Sequence, residues 1–227
     1  PFNRATQARR QPGSTFKLVT ASAAIEEGVI SPNDPVDVSE GLIRFKGRVV
    51  HDDHRYGVLT FGDVIVKSSN VGAIKVGLKL GPDRLGAYVS RFGFGRQLSA
   101  EFPGESPGIV WNPSKLNDSA LASVSMGYQV GVTPLQMVTA TAAVANGGRL
   151  MKPHVVRAIV RDGVRTASEP VEVRRVISPR TASELTTIME EVVTRGTGRT
   201  FVEVDGFTVA GKTGTAQKLV NGAYSHS

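Results

Sequence analysis

The run from Ser14 to Gly28, S-T-F-K-L-V-T-A-S-A-A-I-E-E-G, constrains what this chain can fold into more than any other stretch. Its pattern predicts a helix opened by the cap-type residue Ser14 and stopped at Gly28. Phe16, Leu18, Val19, Ala21, Ala23, Ala24 and Ile25 leave little polar face, so the helix must be covered on nearly every side. A chain of 227 residues, 40% of them hydrophobic, can supply that cover. Lys17 is the anomaly. A lone lysine on such a helix should snorkel to water unless something needs it inside. Ser14 lies three residues earlier, on the same face. A serine hydroxyl is a poor nucleophile until a base takes its proton, and lysine can be that base only when neutral. From its ordinary pKa, neutralising it at pH 7 costs about 4.6 kcal/mol, which burial and a helix start can supply.

The rest of the chain reads as alternating helices and short strands. Residues 29–58 are loop-rich, with a hairpin in G-L-I-R-F-K-G-R-V-V, before Thr60 and Asp63 open a second helix that ends near Lys67. V-G-A-I-K-V-G-L-K-L predicts a third helix stopped by Gly81-Pro82, and Pro82 opens a fourth through Phe92. Residues 93–115 are irregular, 117–126 helical, and Thr133-Pro134 opens a helix that runs to Asn146-Gly147-Gly148. Residues 153–176 alternate in the β manner around Asp162-Gly163, and Ser178-Pro179 starts a helix to about Thr194. F-T-V-A-G-K-T-G-T-A-Q-K-L-V predicts a strand, followed by the hairpin signal Asn221-Gly222.

Composition narrows the function. No stretch of about 18 apolar residues is present, so no membrane span is predicted. The net charge of +7 suits an anionic neighbour such as a membrane surface or a polyanionic wall. Its basic residues are scattered and aromatics are 6%, which argues against nucleic acid. Zero cysteines exclude disulfides and thiolate metal sites. His51-Asp52-Asp53-His54 has no matching third cluster, so no metal site is expected.

Serine and lysine at this spacing occur by chance, but two further signals stand in order along the chain. Ser68-Ser69-Asn70 lies at an interhelical corner, and Lys212-Thr213-Gly214-Thr215 lies on the predicted last strand. S-x-x-K, S-x-N and K-T-G together mark penicillin-binding proteins and serine β-lactamases. A decoy, Ser31-Pro32-Asn33, also fits S-x-N, but its prolines describe a turn. Taken singly, Ser14 could be a cap, Ser68 and Asn70 a polar loop, and Lys212-Thr213-Gly214 a bulged strand.

The chain resembles the transpeptidase domain of class B penicillin-binding proteins, in particular the cell-division branch. The likeness rests on P-G-S-T-F-K, the segment from Asp52 through Thr60, K-S-S-N-V-G, S-M-G-Y-Q-V-G-V-T-P-L-Q-M, G-T-G at Gly196, and V-A-G-K-T-G-T-A-Q-K. The resemblance implies an α+β fold of the penicillin-binding and serine β-lactamase type, a helical subdomain with an antiparallel sheet. Within it, residues 14–146 would form the mostly helical part and 147–227 the α/β part. Compared with that family, the chain would be a central piece truncated at both ends, without membrane anchor, pedestal domain or C-terminal strands.

The resemblance further implies that Ser14 is acylated, Lys17 is its base, Ser68 relays a proton to the leaving amine and Asn70 bonds the substrate amide. Lys212 would add positive charge. Thr213 and Thr215 would receive a carboxylate, Gly214 would let the peptide approach, and the N–H groups of Ser14 and Thr215 would form the oxyanion hole. It implies no cofactor. The partners implied are peptidoglycan stem peptides on lipid-linked or nascent glycan strands, β-lactams, and division or elongation membrane proteins including a glycosyltransferase. The implied location is the outer side of a bacterial inner membrane. A D,D-carboxypeptidase, a β-lactamase, a β-lactam sensor and an inactive division scaffold remain alternatives. Glu101 and Glu105 are the nearest candidates for a lactamase's deacylating glutamate, but neither sits in an E-x-x-L-N setting.

Overall fold

The computed structural model of the protein describes residues 2–200, 204–214, 218–220 and 223–225. The apolar run at the start becomes its central rod. A 3-10 turn, Gly13–Phe16, leads directly into α1, Lys17–Glu26. Every residue from Lys17 to Ala24 is buried, as the absence of a polar face requires. Each large apolar side chain so buried contributes roughly 1.5–3 kcal/mol relative to exposure. Ser14 does not cap this helix. The 3-10 turn interposes itself, and no side chain caps either segment.

Around α1 the elements follow in order: β1 Pro35–Asp37, β2 Leu42–Phe45, β3 Arg48–His51, β4 Val58–Thr60, α2 Phe61–Val66, α3 Asn70–Leu80 and α4 Pro82–Arg91. After an irregular stretch come α5 Asp118–Ser125, α6 Pro134–Ala145, β5 Arg149–Met151, β6 Ala158–Arg161, β7 Val164–Ala167, β8 Glu172–Arg175, α7 Pro179–Thr194, β9 Lys218–Val220 and β10 Ala223–Ser225. Helices α3, α4 and α7 pack directly on α1, with α5 behind α3 and α6 behind α7. The β structure among the described residues is five separate antiparallel pairs: β1 with β4, β2 with β3, β5 with β8, β6 with β7 and β9 with β10. No described helix is long and apolar enough to cross a membrane.

Local chemistry accounts for the helix starts. Thr60, Ser69, Asn117, Thr133 and Ser178 each accept a backbone N–H in the first turn they precede. Thr133 and Gln136 form a reciprocal capping box, and the buried Gln136 amide also donates to the carbonyls of Arg96 and Pro107. Ser31 donates its backbone N–H to the Asp34 carboxylate at 2.8 Å, confirming the turn read at Ser31-Pro32-Asn33.

The predicted final strand is corrected. Residues 207–214 are in no strand, because no described segment offers them a ladder, and the next described strand is β9. The Asn221-Gly222 turn lies outside the described residues, although β9 and β10 on either side of it pair as a hairpin.

Candidate active site

Three segments distant in sequence converge at the N-terminal end of α1. The 3-10 turn carries Ser14, and α1 begins with Lys17. The link between α2 and α3 carries Ser68 and Ser69, α3 begins with Asn70, and the irregular segment after α7 carries Lys212, Thr213 and Gly214. The sequence had placed Thr215 here too, and it lies outside the described residues.

Lys17 is the centre of the arrangement and is fully buried. Its Nζ donates to the Ser68 carbonyl at 2.7 Å and to Asn70 Oδ1 at 2.8 Å, and lies 3.3 Å from Ser68 Oγ. A neutral amine has two hydrogens, which those two strong acceptors take, and one lone pair left to receive a hydroxyl proton. Burial is the main force pulling its pKa down from 10.5 to about 7; Lys212 adds to this, while Asp52 and Asp53 oppose it. The condition set by the sequence, a lysine able to be neutral near pH 7, is therefore met by desolvation first.

Ser68 stands between two amines. Lys212 Nζ donates to its Oγ at 2.9 Å and to the Thr213 carbonyl at 3.0 Å. Burial lowers the Lys212 pKa to about 8. With Lys212 donating to Oγ, the hydroxyl keeps its own proton to give. Ser68 holds this place with φ at 59°, a left-handed conformation costing a non-glycine residue roughly 1–3 kcal/mol. The strain aims its carbonyl at Lys17. No sequence signal marks it, since glycine or asparagine would be the ordinary choice there.

The Ser14 hydroxyl makes no hydrogen bond among the described residues. Its turn is braced from α5. Gly13 donates its N–H to the Gly127 carbonyl at 3.0 Å. Gly127 has φ at +84°, and a Cβ there would lie 2.0 Å from the Gly13 oxygen, so only glycine fits. Gly214 serves a similar approach. A Cβ on it would come within 2.7 Å of Thr15 Cγ2 and 3.3 Å of the Pro12 oxygen, so its close neighbour in the structure is the serine turn itself. The Thr213 hydroxyl is 2.5 Å from that of Thr197, which the sequence marked only as part of a likeness.

Asn70 is partly committed: besides Lys17, its Nδ2 donates to the His51 carbonyl at 3.1 Å, which leaves one amide hydrogen for a substrate. Asp52, given no role by the sequence, accepts from the Ser69 hydroxyl and from the backbone at the start of α3. Eighteen residues separate Asp52 from Asn70, so no local pattern could have paired them. Both Glu105 oxygens accept from Leu98 N–H and one also from Ser99 N–H, making that buried carboxylate a loop anchor. Glu101 accepts from Val155 N–H at 3.3 Å, also far from the serine turn in sequence.

Comparison with known proteins identifies the family. The family model for the penicillin-binding protein transpeptidase domain matches residues 2–227. The chain belongs to that family. A probable peptidoglycan D,D-transpeptidase PbpC of Pseudomonas aeruginosa is 35% identical over 215 residues, covering 95% of this chain and 36% of the relative. The apo transpeptidase domain of Burkholderia pseudomallei penicillin-binding protein 3 superposes with a TM-score of 0.89 at 33% identity, covering all of this chain and 66% of that one. Mycobacterium tuberculosis penicillin-binding protein 3 in complex with aztreonam gives the same score at 36% identity, over 98% of this chain and 52% of that one. The chain spans about a third of the length of the curated relatives it matches. As a penicillin-binding-protein transpeptidase domain, it has the α+β fold that the motifs implied.

Proposed function

We propose that this domain catalyses D,D-transpeptidation of peptidoglycan stem peptides through an acyl-enzyme on Ser14. The observation that carries the reading is the buried Lys17, held by Ser68 and Asn70 with its pKa brought down to about 7, one helical turn from Ser14. Lys17 takes the Ser14 proton as Oγ attacks the carbonyl of the penultimate D-alanine. The oxyanion faces the N–H groups of Ser14 and Thr215. As the C–N bond breaks, Lys17 passes a proton to Ser68 Oγ, and the Ser68 proton goes to the leaving D-alanine nitrogen. An amine of a second stem peptide then attacks the ester, returns the proton by the same route and frees Ser14 as the cross-link forms. Asn70 orients the substrate amide, Lys212 supplies positive charge beside Ser68, and Thr213 and Thr215 receive the terminal carboxylate over Gly214.

A β-lactam follows the first half of this path, but its opened amine stays tethered, so the ester persists. The relative crystallised with aztreonam supports that expectation for a close structural neighbour. We place the domain in septal wall synthesis on the outer face of a bacterial inner membrane. Its partners there are lipid-linked or nascent glycan strands and division or elongation membrane proteins, including a glycosyltransferase. Residues 14–146 and 147–227 act as its helical and α/β parts. Mass spectrometry of penicillin-treated protein tests the proposal. The adduct belongs on Ser14, persists for many minutes and is absent from Ser14→Ala; a label elsewhere, or loss within seconds, overturns it.

A further inference from the structure

We propose that Asp52 is a positioning residue for acyl transfer: it clamps the Ser68–Asn70 turn so that Ser68 and Asn70 keep their grip on Lys17. The inference rests on the acyl-enzyme reading above. Asp52 follows the last residue of β3 and is tied back to the start of the hairpin by its N–H, which donates to the Gly41 carbonyl at 3.0 Å. Its Oδ1 accepts from Asn70 N–H at 2.5 Å and from Val71 N–H at 3.0 Å, and its Oδ2 from Ser69 Oγ at 2.6 Å. The first turn of α3 is thus held by a carboxylate from another element, where the helix's positive end favours it.

The neighbouring residue completes the clamp. The His51 carbonyl receives Asn70 Nδ2, which fixes the amide so that Oδ1, the acceptor, faces Lys17. A flipped amide would set Oδ1 against the His51 carbonyl, two acceptors face to face, and leave the Lys17 N–H facing a donor. The platform behind the clamp is well anchored. Arg48 in the same hairpin donates to Ser123 Oγ on α5 at 2.5 Å. Ile43, Phe45 and Val50 pack against a buried cluster of Ile74, Ala122 and Met126.

Asp52 also acts through charge. The charged groups that act on Lys17 among the described residues are Lys212, Asp52 and Asp53, and Asp52 is the one that also grips the turn. Its carboxylate favours the ammonium form of Lys17, so losing it favours the neutral amine. Grip and charge predict separable effects on the reaction. Loss of grip lowers the maximal acylation rate, while loss of charge moves the pH at which Lys17 becomes a base.

The test measures second-order acylation by a fluorescent penicillin from pH 5.5 to 9 in the intact protein, with melting temperatures alongside. Asp52→Asn should lower the plateau rate by roughly tenfold or more, since small misplacements of catalytic groups cost that much. It should also move the acidic midpoint to lower pH by several tenths of a unit. Ser69→Ala removes one gripped donor and keeps the charge, so it should lower the plateau and leave the midpoint in place. A plateau and midpoint unchanged in Asp52→Asn would overturn the proposal, as would a wild-type plateau in Ser69→Ala, which decides the matter if Asp52→Asn does not fold. A fall in melting temperature without either kinetic change would mean a structural cap and also overturn it. Failure of the wild-type protein to take the label on Ser14 would instead sink the acyl-enzyme reading, and the two failures are told apart in the same samples.

Discussion

Lys17→Met isolates what burying the lysine costs. In the folded protein its pKa is about 7, against 10.5 for the free side chain. Above pH 10.5 both folded and unfolded states carry a neutral amine, and nothing is lost. As pH falls below that, the unfolded chain binds a proton that the folded protein refuses, so stability declines until about pH 7 and is level below it. At roughly 1.4 kcal/mol per pH unit, the span from 10.5 to about 7 amounts to about 5 kcal/mol. Methionine removes this dependence while keeping an unbranched chain of similar length. It also strips the Ser68 carbonyl and Asn70 Oδ1 of their shared donor, at up to about 1–3 kcal/mol for each of these half-buried acceptors. The variant should therefore be less stable than wild type by about 2–6 kcal/mol near pH 10.5, and should gain about 5 kcal/mol relative to wild type by pH 7, which brings it level or above over most of that range. Urea denaturation at four pH values between 7 and 10.5, with linear extrapolation to water, reads the difference directly. A difference that stays constant across the window would show that Lys17 is an ammonium in the folded protein, and the general-base argument would fall with it.

Lys17→Arg should acylate as poorly as Lys17→Ala, slower than wild type by roughly a hundredfold or more, because a guanidinium cannot give up its proton. An arginine variant within tenfold of wild type by stopped-flow labelling would mean that Lys17 acts by positive field alone. The wild-type second-order acylation rate should follow a narrow bell in pH, rising near 7 as Lys17 loses its proton and falling near 8 as Lys212 does, and the plateau compared between variants is the pH-independent limit fitted to that bell. Lys212→Arg, which keeps its charge, should remove the alkaline limb; a limb left at its wild-type position would assign it to another group. Gly127→Ala drives a Cβ to 2.0 Å from the Gly13 oxygen at a positive φ. It should cost about 2 kcal/mol or more and lower the melting temperature together with Ser14 labelling; an unshifted melting curve would refute the close approach.

How much of this was legible beforehand depends on whether the cause was local. Residue order alone fixed most helix limits, because caps, prolines and glycines act within one turn: Thr60, Thr133-Pro134, Ser178-Pro179 and Gly81-Pro82 all work as their spacing implied. Residue order also singled out Ser14, Lys17, Ser68, Asn70 and Lys212, through the ordered trio S-x-x-K, S-x-N and K-T-G. The nearby segments were misread where the cause was distant. Ser14 sits in a 3-10 turn and caps nothing, held by a contact with Gly127 that is 113 residues away. Residues 207–214 have strand composition but no ladder, since a strand exists only where another backbone pairs with it. Burial of Lys17, the left-handed turn at Ser68 and the grip of Asp52 on α3 likewise come from packing α1, α3 and the β2–β3 hairpin together. The residues determined which chemistry was available; the tertiary structure decided the protonation and aim of each group, because desolvation and hydrogen bonding are set by neighbours that the chain brings from afar.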